Sequence, residues 1–223
     1  FKDLYKFAKK HDLDLVKANY YEHSDAGDVF QEPFAGFDYK KVFDPRVEQR
    51  ALTILPIIWS ALYRREMIER EEVRFNETPG ASYQDTSFVF QAWASARRAA
   101  ILPKGYLHYR VDNANSSVKS SSKVFAVCDE YALSEQFLAK DPEKKRAFEK
   151  ILNLLKLGTY RWNFNRLAPE YQRQFAERMG EEYRQAREAG TLDRSMFAPQ
   201  DWEMLNLLMD DFDGFMAKYE SGL

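Results

Sequence analysis

The segment from Arg74 to Phe88 holds the most informative arrangement of reactive residue types in the sequence. It reads Arg-Phe-Asn-Glu-Thr-Pro-Gly-Ala-Ser-Tyr-Gln-Asp-Thr-Ser-Phe, so a glycine-containing loop ends in a carboxylate, Asp85, at the start of an apolar helix. Such an arrangement can hold a carboxylate in a cleft with the helix body as a rigid support. The structural alternative is a helix N-cap, in which the oxygens of Asp85 accept hydrogen bonds from free backbone amides. The two roles are compatible, because a capping carboxylate can also take up a proton.

Two other groups of side chains are candidates for ligand contact. Trp59 and Tyr63 flank a predicted buried strand, where they either pack in the core or present an aromatic platform to the C–H face of a sugar ring. His108 and Arg110 lie on the last strand predicted in the first half of the chain, just before a polar loop.

The sequence lacks several motifs that would define other chemistries. It contains no P-loop, no Gly-x-Gly-x-x-Gly dinucleotide fingerprint and no Gly-x-Ser-x-Gly nucleophile elbow. A single cysteine, Cys128, excludes an internal disulfide, and we interpret it as an inert core residue. One cysteine and three scattered histidines, His11, His23 and His108, argue against a zinc cluster, and no residue is assigned as a metal ligand.

Composition indicates a folded protein with a substantial core. Of the 223 residues, 45% are hydrophobic and 15% aromatic, which excludes a disordered chain. The net charge of -2 argues against a nucleic-acid-binding protein. Charge is unevenly placed: residues 97–123 carry six cations and one anion, whereas residues 199–223 carry six anions and one cation. The basic segment is either a solvated surface or a region that meets phosphate.

Hydrophobic periodicity divides the chain into an α/β half and a helical half. We predict few strands, all before about Val111, only helices after Ser122, and a helix-rich chain overall. The predicted domains are residues 1–118 and 119–223. In the first half the predicted elements are a helix at 1–8, strands at 12–21, 56–63, 100–102 and 106–109, a long loop at 22–45, and helices at 64–72 and 86–98. In the second half, four helical stripes are centred on 124–131, 148–155, 171–183 and 202–216.

No apolar run in the sequence is long enough to predict a membrane span. The longest apolar stretch, residues 51–63, is shorter than the roughly 20 residues that a helix needs to span a bilayer. The chain opens at Phe1, without Met, directly inside a helical pattern, so we expect its natural start to lie upstream.

Four blocks of the sequence resemble the second half of a family 2 glycosyltransferase catalytic domain of the GT-A type, from enzymes that build bacterial surface polysaccharides. These blocks are Leu13-Asp-Leu-Val-Lys-Ala-Asn-Tyr20, Ile58-Trp-Ser-Ala-Leu-Tyr-Arg-Arg65, the segment Arg74–Phe88, and Tyr106-Leu-His-Tyr-Arg-Val-Asp-Asn-Ala-Asn-Ser-Ser-Val118. The resemblance covers about residues 1–131, and the third and fourth blocks are its most specific parts. It does not extend to the helical remainder.

The resemblance implies a catalytic role for Asp85. In the family, inverting transfer needs a general base that takes the proton of the acceptor hydroxyl, and this base is the Asp of a Glu-Asp pair at the head of a helix. Asp85 matches it, but the preceding residue here is Gln84, which removes one like charge and leaves the base in place. The resemblance further implies substrate contacts for Trp59, Tyr63, Gln84, His108 and Arg110, the last two near the donor diphosphate.

The resemblance also implies a donor half that this chain lacks. An Asp-x-Asp motif that binds Mn²⁺ or Mg²⁺ precedes, in the family, the helix that opens this chain, so the metal is expected only in the intact enzyme. Two local Asp-x-Asp sequences, Asp12–Asp14 and Asp211–Asp213, are not assigned to it. The first starts a strand, whereas the family motif ends one. The second lies in a predicted helix, where residues two apart do not share a face.

The resemblance therefore implies the acceptor-side half of an inverting glycosyltransferase, inactive on its own, followed by a helical extension. The intact enzyme would use a nucleotide-sugar donor and a glycan or lipid-linked acceptor, in the cytoplasm or at the inner face of the plasma membrane. Exposed apolar surface on the fragment would also favour a homodimer. The alternative is a non-catalytic helical interaction module on a degenerate glycosyltransferase scaffold, which a large apolar patch on the helices would favour.

Overall fold

The structure is a computed structural model that describes residues 1–79, 83–112, 123–219 and 222–223. The chain forms two compact units, Phe1–Lys119 and Ser120–Leu223. The first is an α/β unit with a small four-stranded sheet, and the second is helical. Helices account for 55% of the chain, and the predicted fold class is confirmed.

The α/β unit contains three helices and four strands within its described residues. In chain order they are α1 Lys2–His11, β1 Leu15–Ser24, β2 Gly27–Gln31, β3 Ala61–Tyr63, α2 Arg65–Arg70, α3 Gln84–Ser95 and β4 Ala99–Arg110. A short 3-10 helix, Gln49–Thr53, lies between β2 and β3.

Strand β1 lies at the centre of the sheet and pairs with all three other strands. It runs parallel to β4 along one edge, from Leu15 opposite Ala99 onwards. It pairs antiparallel with β3 near its start and antiparallel with β2 near its end. Because a strand has only two edges, β3 and β2 follow one another along the second edge. The link between β1 and β2 is a tight turn of two residues, Asp25 and Ala26, and Gly27, the first residue of β2, adopts a positive φ of 119°.

Helix α3 supports the candidate site because it is buried on every side. All ten residues from Thr86 to Ser95 are buried. A helix that is enclosed all round belongs to a core rather than to a surface, so its first turn is held in a fixed place.

Three local sequence predictions for the α/β unit differ from the structure. The apolar run at 56–63 contributes only the three residues of β3, and Leu55 beside it is 73% exposed. The predicted loop at 22–45 contains β2, whose side chains are mostly exposed and so carry no apolar alternation. The two short strands around Pro103 form one strand, β4, with irregular pairing near that proline. Gly80 of the turn predicted around Pro79-Gly80 and most of the polar loop at 112–122 fall outside the described residues.

The helical unit contains five helices among its described residues, namely α4 Ala126–Ala139, α5 Pro142–Arg166, α6 Pro169–Glu188, α7 Pro199–Asp210 and α8 Phe212–Lys218. The predicted last helix is thus two helices, separated at Asp211, whose carboxylate accepts a hydrogen bond from the Gly214 amide. Tyr160, Phe164, Phe175 and Phe215 are fully buried in its core.

A buried ionic network joins α5 and α6 in this unit. Lys156 is 3% exposed, and its ammonium lies 3.2 Å from the carboxylate of Glu182. Glu182 also accepts a hydrogen bond from the Tyr160 hydroxyl at 2.6 Å and from Arg178 at 2.6 Å. The charges are therefore paired and hydrogen-bonded, as buried charges must be. Cys128 is buried in the same unit, and burial raises its pKa to about 12, in keeping with an inert thiol.

Lys17 is a buried amine on the central strand of the sheet. It lies on β1, is 1% exposed, and donates a hydrogen bond to the Ile57 carbonyl oxygen. Burial lowers the pKa of its ammonium to about 7, because desolvation disfavours the charged form.

We predict that Lys17→Met changes how the stability of the α/β unit depends on pH. Between about pH 7 and about pH 10.4 the unfolded lysine binds a proton that the folded lysine does not, so the free energy of unfolding of the wild type rises with pH. The slope due to this group approaches about 1.4 kcal/mol per pH unit, and methionine removes it. Urea unfolding of both proteins from pH 6 to pH 9 measures the difference. Parallel stability profiles across this range would contradict the depressed pKa.

Candidate active site

Asp85 lies inside the first turn of α3, as its second residue. The N-cap is Tyr83, which has a left-handed backbone with φ of 61° and makes no side-chain capping bond. The N-cap alternative for Asp85 is therefore wrong in position. Its carboxylate nevertheless accepts hydrogen bonds from the backbone amides of Asp85 itself and of Thr86, two of the donors that a helix start leaves without partners.

The surroundings of Asp85 raise the pKa of its carboxyl group above the usual range. Desolvation by burial is the largest cause, and the two backbone hydrogen bonds oppose it. A carboxylate with a raised pKa binds a proton more readily near neutral pH than an ordinary aspartate does. This is the change that a general base requires.

Gln84 is the first residue of α3, and its side chain connects the helix to the preceding segment. Its amide nitrogen donates a hydrogen bond of 2.9 Å to the hydroxyl oxygen of Thr78. Residues 80–82, between these two positions, lie outside the described residues. The Gln84–Thr78 contact therefore fixes where the chain enters the helix beside Asp85.

Aromatic side chains surround the face of α3 that carries Asp85. Phe88, three residues further along the helix and so on the same face, stacks on Phe75 with ring centres 4.1 Å apart. Tyr63 meets Phe88 edge-on at 5.4 Å, and its hydroxyl donates to the Ile58 carbonyl at 3.1 Å. Phe75 is 45% exposed, so this cluster reaches the surface. Tyr63 thus lies in the neighbourhood of Asp85, as part of a packed aromatic cluster.

Trp59 belongs to a second aromatic cluster. Its indole stacks on Tyr109 with ring centres 4.7 Å apart and an interplanar angle of 8°, and it meets Tyr20 edge-on at 4.6 Å. Trp59 is half-buried and Tyr109 is 38% exposed. Trp59 therefore packs against other rings and also contributes to an aromatic surface that solvent reaches.

His108 and Arg110 lie at the end of β4, on the other face of the sheet from Tyr109. His108 stacks on Tyr21 at 4.8 Å, and its Nδ1 is 3.0 Å from the carboxylate of Asp28. Arg110 pairs with Asp25 at 2.5 Å and with Asp112 at 2.9 Å. Because successive residues of a strand point to opposite faces, His108 and the Trp59–Tyr109 stack do not converge on one point.

Sequence reasoning singled out His108 but missed its partners, His23 and Asp28. Nδ1 of His23 is 2.7 Å from the carboxylate of Asp28. The hydrogen bond from His23 is the largest cause, and that from His108 the second, of a pKa of Asp28 below its usual range. The available signal was the short sequence Ser-Asp-Ala-Gly at 24–27, which reads as a hairpin turn and would have placed His23 beside Asp28.

Other cations of the basic segment also have partners close by. Arg98 donates to the backbone carbonyl oxygens of His11 and Asp12, at 2.9 Å and 3.2 Å. Lys104 lies 3.8 Å from Asp3. Lys119 falls outside the described residues. No helix in the described part of the chain combines the length and apolar character needed to cross a membrane.

The two local Asp-x-Asp sequences do not fit a metal site for a nucleotide-sugar donor. Asp14 is buried and accepts hydrogen bonds from the amides of Arg97 and Arg98, at 2.9 Å and 3.2 Å. Asp12 ends α1 and pairs with Arg64 at 2.6 Å. Asp211 caps α8, and Asp213 pairs with Arg173 at 3.0 Å. These carboxylates are already engaged by amides and guanidinium groups of the protein.

Comparison with known proteins identifies a related fold. TarS of S. aureus, a glycosyltransferase, matches 96% of this chain with a TM-score of 0.65 at 17% identity, and this chain spans 36% of that TarS chain. A crystal structure of TarS 1–349 in complex with UDP-GlcNAc matches 96% of this chain and 60% of its own, with a TM-score of 0.47 at 14% identity. No protein-family model and no curated sequence matches. On the first of these likenesses, the chain has a glycosyltransferase fold.

Proposed function

We propose that the intact protein is an inverting glycosyltransferase of family 2, GT-A type, with Asp85 as its general base. It transfers a sugar from a nucleotide-sugar donor to a glycan or lipid-linked acceptor in bacterial surface polysaccharide synthesis. It acts in the cytoplasm or peripherally at the inner face of the plasma membrane. The glycosyltransferase fold supports the class of reaction, and the resemblance of the four sequence blocks supports the family.

The raised pKa of Asp85 on a rigid helix carries the proposal. The ten residues that follow Asp85 in α3 are all buried, so the backbone that carries its carboxylate is fixed. A bound acceptor can therefore meet the carboxylate without a backbone movement. The residue before it is a neutral glutamine, so no neighbouring charge in that position competes for the proton.

The proposed step is a single displacement. A carboxylate oxygen of Asp85 takes the proton of the acceptor hydroxyl while that oxygen forms a bond to the anomeric carbon of the donor sugar. The bond from the anomeric carbon to the diphosphate breaks, and the nucleoside diphosphate leaves with the electron pair. Attack from the face opposite the leaving group inverts the anomeric configuration.

The aromatic surfaces beside the site suit a carbohydrate acceptor. The stack of Phe75 on Phe88, with Tyr63 at its edge, lies on the Asp85 face of α3. Flat rings of this kind pack against the apolar faces of sugars. We assign Tyr63 and Gln84 to acceptor positioning on this basis, and Trp59, with its exposed partner Tyr109, to a more distant sugar contact.

His108 and Arg110 are proposed to lie near the donor diphosphate. In the structure Arg110 is neutralised by Asp25 and Asp112, so contact with a diphosphate requires an exchange of these exposed pairs. Such exposed pairs contribute little free energy and exchange readily.

The alternative, an interaction module built on the helices, depends on a large apolar patch in the helical unit. Among its described residues, three large hydrophobic side chains are exposed: Phe125, Trp162 and Tyr171. The guanidinium of Arg166 covers one of them, Trp162, at 4.2 Å from the ring centre. These observations favour the enzyme.

We predict that Asp85→Asn in the intact enzyme lowers turnover by about 10²–10⁴-fold, because asparagine keeps the shape but cannot take a proton. Its thermal stability is expected to stay the same or to rise slightly, since the substitution removes a carboxylate whose burial is unfavourable. Turnover is measured as UDP released from a panel of UDP-linked sugars with host membrane extract as the source of acceptor. Melting temperature is measured on the same samples.

Glu66→Gln is the matched control, because Glu66 is the second residue of α2, as Asp85 is of α3, and is exposed. It should change neither turnover nor stability. A nearly normal rate in Asp85→Asn would remove Asp85 as the base. A loss of turnover in Asp85→Ala that matches a loss of folded protein, with Asp85→Asn active, would leave it a purely structural role.

We further predict that the acidic limb of the pH profile of kcat/KM lies above the ordinary carboxyl range. The base works only when deprotonated, so activity rises with pH through the pKa of Asp85, which burial shifts upwards from its usual value of about 3.9. Rates measured from pH 4 to pH 8 give the midpoint, and Glu66→Gln should leave it unchanged. A profile that stays flat down to the ordinary aspartate range would contradict the shift.

A further inference from the structure

Three potential metal ligands meet on three strands of the sheet. They are His23 on β1, Asp28 on β2 and His108 on β4, and one ligand atom from each lies within 4.8 Å of the other two. Nδ1 of His23 is 2.7 Å from one carboxylate oxygen of Asp28, and Nδ1 of His108 is 3.0 Å from the other. The carboxylate of Asp28 thus lies between two imidazoles, with one oxygen within hydrogen-bond distance of each.

Strand pairing places these residues together. His23 and Asp28 are direct partners in the antiparallel register of β1 and β2. His108 is opposite Tyr21, two residues before His23 on the same face of β1. The three side chains therefore share one face, and their approach follows from backbone hydrogen bonds rather than from their own attraction.

Packing also fixes the ring of His108. Its imidazole stacks on Tyr21 at 4.8 Å with an angle of 15° between the rings. Tyr21 itself fits closely over Gly105, where an added Cβ would lie 2.6 Å from the tyrosine ring. The ring is therefore held in position before any ligand arrives, which reduces the entropy lost on binding.

Arg110, a cation next to the cluster, does not block it. Arg110 is opposite His23 in the register of β1 and β4, but its guanidinium contacts Asp25 and Asp112 instead of Asp28. These two carboxylates offset its charge.

We propose that His23, Asp28 and His108 bind one divalent first-row transition-metal ion, with zinc as the best-suited ion. Two imidazoles and one carboxylate form a donor set that such ions prefer, whereas Mg²⁺ and Ca²⁺ prefer oxygen ligands. A small rearrangement of the three side chains, in which Asp28 gives up its hydrogen bonds to the two imidazoles, places the ligand atoms at the metal–ligand distances of about 2.0–2.2 Å that zinc requires. The remaining coordination positions face solvent, because all three residues are half-buried or exposed.

Binding is an exchange of cations without oxidation or reduction. Each imidazole gives a nitrogen lone pair to the metal and keeps one N–H on its other nitrogen, and any imidazolium proton is released to solvent. The carboxylate of Asp28 passes from the two imidazole donors to the metal. The ion then cross-links β2, β1 and β4 at the end of the sheet, a few residues before β4 ends at Arg110.

This site shares His108 with the region proposed to lie near the donor diphosphate, but it does not include the proposed base, Asp85. It uses none of the Asp-x-Asp residues, and it lies on the face of the sheet opposite the Trp59–Tyr109 stack. It would bind metal whether or not Asp85 is a base.

Zinc titration of the tag-free, EDTA-treated chain at pH 7.5 tests the proposal. Calorimetry is expected to give one zinc ion per chain, with a zinc-dependent rise in melting temperature. His23→Gln, His108→Gln and Asp28→Asn should each weaken binding at least about 100-fold, since losing even an outer partner of a ligand costs about 10–100-fold. Excess Mg²⁺ should not compete.

His11→Gln is the matched control, because His11 is the one histidine of the sequence outside the cluster and lies on α1. It should bind zinc like the wild type. NMR of the wild type needs no variant: zinc should shift the imidazole signals of His23 and His108 and leave that of His11 in place. Absence of saturable binding at one ion per chain, equal weakening by His11→Gln, or a shift of the His11 signal alone would overturn the proposal.

Discussion

The pairing of β1 with three other strands is the constraint on which the α/β unit depends. Its first residues bind β3 on one edge and β4 on the other, and its last residues bind β2 and β4. Every candidate residue of this unit outside α3 lies on one of these strands or in the chain next to one. A change that loosened β1 would therefore alter the aromatic stack, the histidine cluster and the buried Lys17 together.

Burial of α3 explains why the carboxylate of Asp85 is both partly desolvated and held in one position. The body of the helix is enclosed by the core, so its first turn cannot move outwards to expose Asp85 to water. The two backbone amides at the helix start partly offset the desolvation that raises its pKa. The same local geometry that satisfies the helix terminus thus leaves the carboxylate more basic than in water, which joins the structural and catalytic interpretations of this residue.

The sequence was most informative where a residue pattern acts locally. The apolar stripes predicted every long helix, and the position of Asp85 at the head of α3 followed from its place before Phe88 and Val89. It was least informative for β2, whose exposed side chains have no alternating pattern. That one missed strand also hid Asp28, and with it the approach of His23 and His108, which lie 85 residues apart in the chain but side by side on the sheet.

The two faces at the end of β4 suit different kinds of contact. Tyr109 and Trp59 offer a flat apolar surface, whereas His108 and Arg110, one residue to either side of Tyr109, offer imidazole and guanidinium groups. Because the alternation of a strand separates them, one face can meet a sugar while the other holds a cation or an anion. A substitution at Tyr109 should therefore affect carbohydrate contact without altering zinc binding, and a substitution at His108 should weaken zinc binding without altering the Trp59–Tyr109 surface.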